Sequence, residues 1–251
     1  MERCKPLPSD QASAGSLPND STELRGMKPQ LKLAEALTPD GKLLTLHAHD
    51  GHYSLRVEHK ELMNSATTAS EMQLGQLAAP RIAGPAATRV LIGGLGLGFT
   101  LQSVLAVAGP KVAVCVAELI PEVIAWNRTH LAGLNGALLD DPRVTVLTAN
   151  VCAVLGQAAT APYDVILLDI DNGPRAMVQA GNAKLYDRRG IERIAAALKP
   201  GGRAAIWSAK TDSAFSDRLI AAGLTVEAVP AKLYTTAKYN TYTIYVADKS
   251  A

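Results

Sequence analysis

The chain has 251 residues, 48% of them hydrophobic and 19% charged, with a formal net charge of +2. That length fits one large domain, or a core domain with a small extension. The near-neutral balance argues against a duplex nucleic-acid binder, which needs a concentrated basic face, and no apolar run reaches membrane-span length.

Residues 1–30 are rich in Ser, Pro, Gly and Asp and read as a mobile tail. Their opening, "MERCKPLPSD", lacks the apolar centre of a signal peptide. Cys4, Cys115 and Cys152 are far apart and form no C-x-x-C pattern, which favours a reducing, cytoplasmic setting. From residue 31 the pattern changes. Leu44 and Leu46, then Tyr53, Leu55 and Val57, alternate on either side of Asp50-Gly51, a dipeptide that favours a hairpin turn. Residues 31–68 are therefore a small N-terminal β-hairpin domain, and residues 69–251 the larger α/β domain. "SEMQLGQLAAPRIA" follows as one amphipathic helix ending before Gly84-Pro85.

Strand and helix then alternate. "TRVLIGG", "KVAVCVAEL", "RVTVLTAN", "YDVILLDI" and "RAAIWSA" read as buried strands. "GFTLQSVLAVAG", "PEVIAWNRTHL", "VCAVLGQAA" and "RRGIERIAAALKPGG" read as the helices between them, the last with a loop. This repetition predicts a parallel sheet with helices on both faces. The end differs: "LTVEAVPAKLY" and "YNTYTIYVAD" leave no room for a helix and should pair antiparallel at the sheet edge. A parallel sheet finished in this way is, by analogy, the architecture of AdoMet-dependent transferases rather than of nicotinamide-binding domains.

The loops carry the chemistry. Gly93, Gly94, Gly96 and Gly98 lie between a buried strand and a helix, where glycine lets the backbone approach a ligand beside a helix N-terminus. Their spacing is not the G-x-G-x-x-G dinucleotide fingerprint. Glu118, at the next strand end, can accept hydrogen bonds from both hydroxyls of a ribose, a device NAD and AdoMet sites share. Asn150 can bond an adenine's exocyclic amine or cap the following helix.

"DIDNGP" ends the next strand in two acids. Asp169 and Asp171 point the same way with Ile170 opposite, and acids that close raise each other's pKa. One of them can then take a proton from a nucleophile, or both can hold a cationic substrate. Asn172 and Gly173 form the turn, and Tyr186 follows the loop that would cover the crevice. Tyr186, Trp126 and Trp207 lie in apolar surroundings and read more often as core than as site. The five histidines do not fall at metal-ligand spacing, so no metal is expected.

Together these residues resemble the spermidine synthase (polyamine aminopropyltransferase) family, from about Leu43 to Val246. "VLIGGLGLG" resembles its glycine motif, "VAELIPEVI" its ribose-binding segment, "DDPRVTVLTAN" its adenine-side segment, and "YDVILLDIDNGP" its catalytic strand and gate loop. The resemblance implies a Rossmann-like class I AdoMet-methyltransferase sandwich behind the small β domain. It also implies S-adenosyl-L-methionine or decarboxylated S-adenosylmethionine as donor, bound by Gly93, Gly94, Gly96, Gly98, Glu118, Asn150 and Asp169. A small amine would be the acceptor, the protein would be a homodimer, and Asp169 would hold the proton-accepting position. Asp171, Asn172 and Tyr186 would then contact the acceptor, with residues 171–186 closing over it.

Four departures qualify the likeness. Gly96 stands where the family carries an Asp, Asn150 where it carries an adenine-contacting Asp, and the second acid of "DIDNGP" comes one residue early. The first helix shows "EMQLGQL" where the family places aromatic and acidic acceptor-binding residues. Losing the carboxylate at position 96 removes the partner of an aminopropyl ammonium, and an unpaired ammonium in a desolvated pocket is costly. Methyl transfer is therefore favoured over aminopropyl transfer. A nicotinamide oxidoreductase and a non-catalytic nucleoside-binding protein are the rival readings.

Overall fold

The computed structural model describes residues 29–170 and 180–251, so most of the expected tail and residues 171–179 lie outside the described residues. It begins with a four-stranded antiparallel sheet of β1 (Leu31–Leu37), β2 (Leu43–His49), β3 (His52–Val57) and β4 (Lys60–Asn64), in that order. Asp50 (φ 48°) and Gly51 (φ 80°) both take left-handed backbone, as a two-residue hairpin turn requires. The alternation decides which face is covered: Leu44, Leu46, Leu55 and Val57 are buried and join the main core. The expected hairpin is thus the centre of a larger sheet.

The predicted helix after it is two helices, α1 (Ala69–Gln76) and α2 (Ala79–Ile82). Pro80 sits in the first turn of α2, where its missing N–H has no intrahelical partner to lose. The alternating elements are β5 (Thr88–Gly93), α3 (Phe99–Val107), β6 (Val112–Glu118), α4 (Pro121–Arg128), β7 (Val144–Thr148), α5 (Val151–Gln157) and β8 (Tyr163–Leu168). Then come α6 (Arg188–Ala197), β9 (Leu198–Ser208), α7 (Ser213–Ala221), β10 (Leu224–Ala231) and β11 (Tyr242–Lys249).

These strands form one seven-stranded sheet ordered β10-β11-β9-β8-β5-β6-β7. β9, β8, β5, β6 and β7 run parallel, and β11 pairs antiparallel with both β9 and β10. The terminal hairpin therefore stands at the sheet edge, as the lack of a connecting helix requires. "LKPGG", read as a helix end with a loop, is instead the start of β9. The register slips there, with Tyr163 opposite Leu198 but Val165 opposite Arg203, and Gly201 (φ 74°) permits the bulge.

Alternate residues of the central strands divide between two cores. Val90, Ile92, Val165 and Leu167 face one, while Leu91, Ile166 and Leu168 face the other. Strands covered on both faces read as unbroken apolar runs, which is why they were legible. The strand order reverses at β5, with β6 on one side and β8 on the other. A ligand crevice opens at the carboxyl ends of such a pair.

The antiparallel edge is pinned by charge. Asp248 on β11 accepts two hydrogen bonds from the Arg203 guanidinium on β9, each 2.7 Å, at a directly paired register position. Replacing Asp248 with Ala should lower stability by roughly 1 kcal/mol, since the pair is only partly buried. Urea unfolding monitored by circular dichroism measures the loss.

Candidate active site

The glycine loop turns directly after β5. Gly94 (φ 89°) donates its N–H to the Ala117 carbonyl at 2.9 Å, and a Cβ on it would run into the Asp169 carbonyl oxygen. Glycine is needed there because the ends of β5 and β8 cross closely. Gly93 ends the strand and Gly98 opens α3. A Cβ on Gly96 would meet the thioether of Met63 at 2.6 Å, so β4 covers the inner side of the loop.

Two asparagines that the sequence reading did not single out hold this loop. Asn127 donates from Nδ2 to the carbonyls of Gly96 and Val123, both at 2.9 Å, and Asn135 donates to the Leu97 carbonyl at 2.9 Å. Both are buried.

Glu118 is buried at the end of β6, with both oxygens bonded to backbone. Oε2 accepts from Leu95 N and Oε1 from Ile120 N, each at 2.9 Å. Burial pushes its pKa up, and the backbone donors oppose that shift. Each oxygen keeps a further lone pair, and the residue lines the cavity. Asn150 also lines it and caps α5, with Oδ1 accepting from Cys152 N at 2.8 Å. The capping alternative is therefore the one seen in the local geometry. Nδ2 is left as the donor on that side chain.

Asp169 follows β8. Its backbone N–H donates to the Gly93 carbonyl at 2.9 Å, and its Oδ2 accepts from the Thr100 hydroxyl at 2.6 Å. Burial raises its pKa, and the Thr100 bond opposes the rise. The acid expected beside it, Asp171, lies outside the described residues, as does Asn172. A different carboxylate stands there. Glu71 on α1 lines the same cavity, and its pKa is pushed up to about 7, first by burial and then by the charge on Asp169. Ser70 Oγ donates to Glu71 Oε2 at 2.6 Å and opposes the shift.

Glu71 is the first residue of "EMQLGQL", the stretch that departs from the family's acceptor-binding helix, and it still brings a carboxylate to the cavity. Helix α1 presents it because α1 lies very close to α3. A Cβ on Gly75 would stand 2.5 Å from the Ser103 Cβ, and Ser103 Oγ donates to the Met72 carbonyl at 2.6 Å. Glu71 and Gly75 are four residues apart and share a helix face. That pairing was the signal in the sequence.

The structure also places the three aromatics. Tyr186 is buried in the second core, its ring edge-on to Phe215 at 5.7 Å and its hydroxyl donating to the Ile170 carbonyl at 3.4 Å. It stands behind the crevice wall, because its ring packs with the apolar cluster beneath α6. Trp126 and Trp207 are both buried in the main core, as expected, and Trp207 also lines the cavity, its ring packed on Tyr242 at 4.8 Å. The cavity is open to solvent and encloses about 990 Å³ counted with its open mouth. Among the described residues no cluster of His, Cys, Asp and Glu is arranged to hold a metal ion.

Known proteins resemble this chain in part of its sequence and in its fold. Putrescine N-methyltransferase 1 of Nicotiana tabacum is 32% identical over 167 residues, covering 64% of this chain and 38% of that protein. The polyamine aminopropyltransferase of Corynebacterium efficiens is 32% identical over 131 residues, covering 51% of this chain and 24% of that protein. The chain therefore spans well under half the length of these curated relatives. The crystal structure of spermidine synthase from Thermotoga maritima superposes with a TM-score of 0.67 at 17% identity, over 87% of this chain and 72% of that one. The chain has the spermidine synthase fold. No protein-family model matches it. Within that fold the glycine loop, Glu118 and Asn150 occupy the carboxyl ends of β5, β6 and β7, and Asp169 and Glu71 sit beside them.

The acid pair has a measurable signature. Glu71 keeps its proton up to about pH 7 in the folded protein, against an ordinary value of 4.5. Between those values the folded state binds more protons than the unfolded chain, so stability falls as pH rises through that window. Denaturation from about pH 5 to about pH 8 should show that decline. Glu71→Gln should flatten it and be more stable by roughly 1–3 kcal/mol at the alkaline end.

Proposed function

We propose that the protein is a transferase that moves an alkyl group, with methyl favoured, from the sulfonium of AdoMet to a small amine. The observation that carries this reading is the pair of desolvated carboxylates, Asp169 and Glu71, at the side of a pocket built for a nucleoside. The names of the two curated relatives support it, one an N-methyltransferase and the other an aminopropyltransferase.

The residues present fit such a donor. Glu118 has lone pairs for ribose hydroxyls, Leu119, Ile120, Val123 and Val151 supply apolar walls for a base, and the turn at Gly94 and Gly96 lets the remaining arm pass. The bound donor supplies an electrophilic carbon attached to a good leaving thioether, so the protein's task is chiefly alignment. Asp169 has Oδ2 committed to Thr100, and Oδ1 is the oxygen that accepts the proton of the attacking amine. Glu71 has Oε2 committed to Ser70, and its other oxygen faces the positive charge of the acceptor. Methyl transfer is favoured because Met63 packs a neutral thioether against Gly96, where an aminopropyl ammonium would need an anion. Aminopropyl transfer from decarboxylated AdoMet is supported by Glu71, a carboxylate in the cavity, and by the relative named an aminopropyltransferase.

The same proposal treats residues 31–68 as a small domain and residues 69–251 as the catalytic one, since β4 ends at Asn64 and α1 begins at Ala69. It extends to a homodimer on the resemblance, and to a cytoplasmic setting on the scattered cysteines. Among the described residues no helix is long and apolar enough to cross a membrane.

Calorimetry with AdoMet, decarboxylated AdoMet and NAD tests the donor. AdoMet should bind most tightly, and binding of NAD alone would contradict the proposal. Asp169→Asn should cut turnover by ~10²–10⁴ while leaving the donor dissociation constant within a few-fold. Unchanged turnover would remove Asp169 from the mechanism.

A further inference from the structure

The cavity has two halves of different chemistry. The half at the ends of β5, β6 and β7 carries the glycine loop, Glu118 and Asn150. The other half is supplied by the N-terminal sheet, α1, β9 and the segment before α6. Its described walls are Pro39, Leu44, Leu55, Leu62, Met63 and Trp207, with Glu71 and Asn182 as the polar members. Leu44, Leu55 and Trp207 are buried, and Trp207 is fixed against Tyr242.

Among the described residues, cationic affinity is thus concentrated at one place. Asp169 and Glu71 lie close enough for the charge on one to disfavour ionisation of the other, so they form a single anionic point. The remaining surface of this half is mainly hydrocarbon and indole. One ammonium is matched by the carboxylates, and an alkyl or aromatic body is matched by the leucines, Met63 and Trp207. A second ammonium at the far end of a diamine would be stripped of water against an apolar wall.

We infer that the acceptor is a monoamine carrying an apolar or aromatic body, held by its nitrogen at Glu71 and Asp169 with its body on the wall formed by Leu62, Met63 and Trp207. This rests on the reading of the site as an amine alkyltransferase and names its substrate class. It separates the chain from the relative named for putrescine, whose named acceptor is a diamine.

Pentylamine and putrescine differ only by exchange of a terminal methyl for an ammonium. Each is titrated calorimetrically into the full chain saturated with S-adenosylhomocysteine, at a pH above 7 so that Glu71 is ionised. Pentylamine should bind roughly tenfold or more tightly than putrescine. Phenethylamine should bind at least as well as pentylamine, and Glu71→Gln should weaken both monoamines roughly tenfold. Leu62→Glu, which adds an anion to the apolar wall, should bring putrescine level with pentylamine or ahead of it. Equal or tighter binding of putrescine by the unaltered protein overturns the inference, as does failure of any monoamine to bind. Failure of S-adenosylhomocysteine itself to bind would instead overturn the donor assignment, so the two claims fail separately.

Discussion

Two carboxylates share one water-poor space between α1 and the end of β8, and most of the molecule is arranged to keep them there. Like charges in such a space repel strongly, so the pair is stable only with a proton or a cation between its members. Packing forces the approach. Gly75 lets α1 lie against α3, Thr100 on α3 fixes one oxygen of Asp169, and Ser70 fixes one oxygen of Glu71. An incoming ammonium relieves the repulsion. In the proposed function, that state serves to bind a positive nitrogen and take its proton.

The donor half obeys a different constraint, that of buried backbone. The loop after β5 must pass close to Asp169 with its peptide groups satisfied. It does so with donors and acceptors drawn from three other elements: the Ala117 carbonyl, the Glu118 carboxylate and the amides of Asn127 and Asn135. Every polar group spent on the loop fixes a surface for a nucleoside. The halves meet at Gly94 and Asp169, where only hydrogen fits between the two chains. Small changes there would disturb donor and acceptor together.

The sheet was legible in the sequence because strands buried on both faces read as apolar runs and the intervening helices begin at Gly98, Pro121 and Asn150. The terminal hairpin was legible from the shortness of its connection. Asp169 and Glu118 were legible as acids at strand ends, a position that depends on neighbours in the chain. Glu71, Thr100, Met63 and Asn127 were not, because their roles come from contacts with distant segments. Trp207 and Tyr186 both sit in apolar sequence and both are buried, and only the packing decides that Trp207 also meets the cavity. The break between α1 and α2 was hidden because the apolar pattern runs through it.

The central claim is transfer of a methyl group to an amine, and isotope-labelled donor tests it most directly. Incubation with AdoMet carrying a deuterated methyl group and a panel of monoamines and diamines, followed by mass spectrometry, identifies the group that moves. The account predicts an amine that has gained one deuterated methyl, with S-adenosylhomocysteine released in equal amount. An aminopropylated amine formed only with decarboxylated AdoMet, or a donor bound and left intact in the presence of every amine, would contradict it.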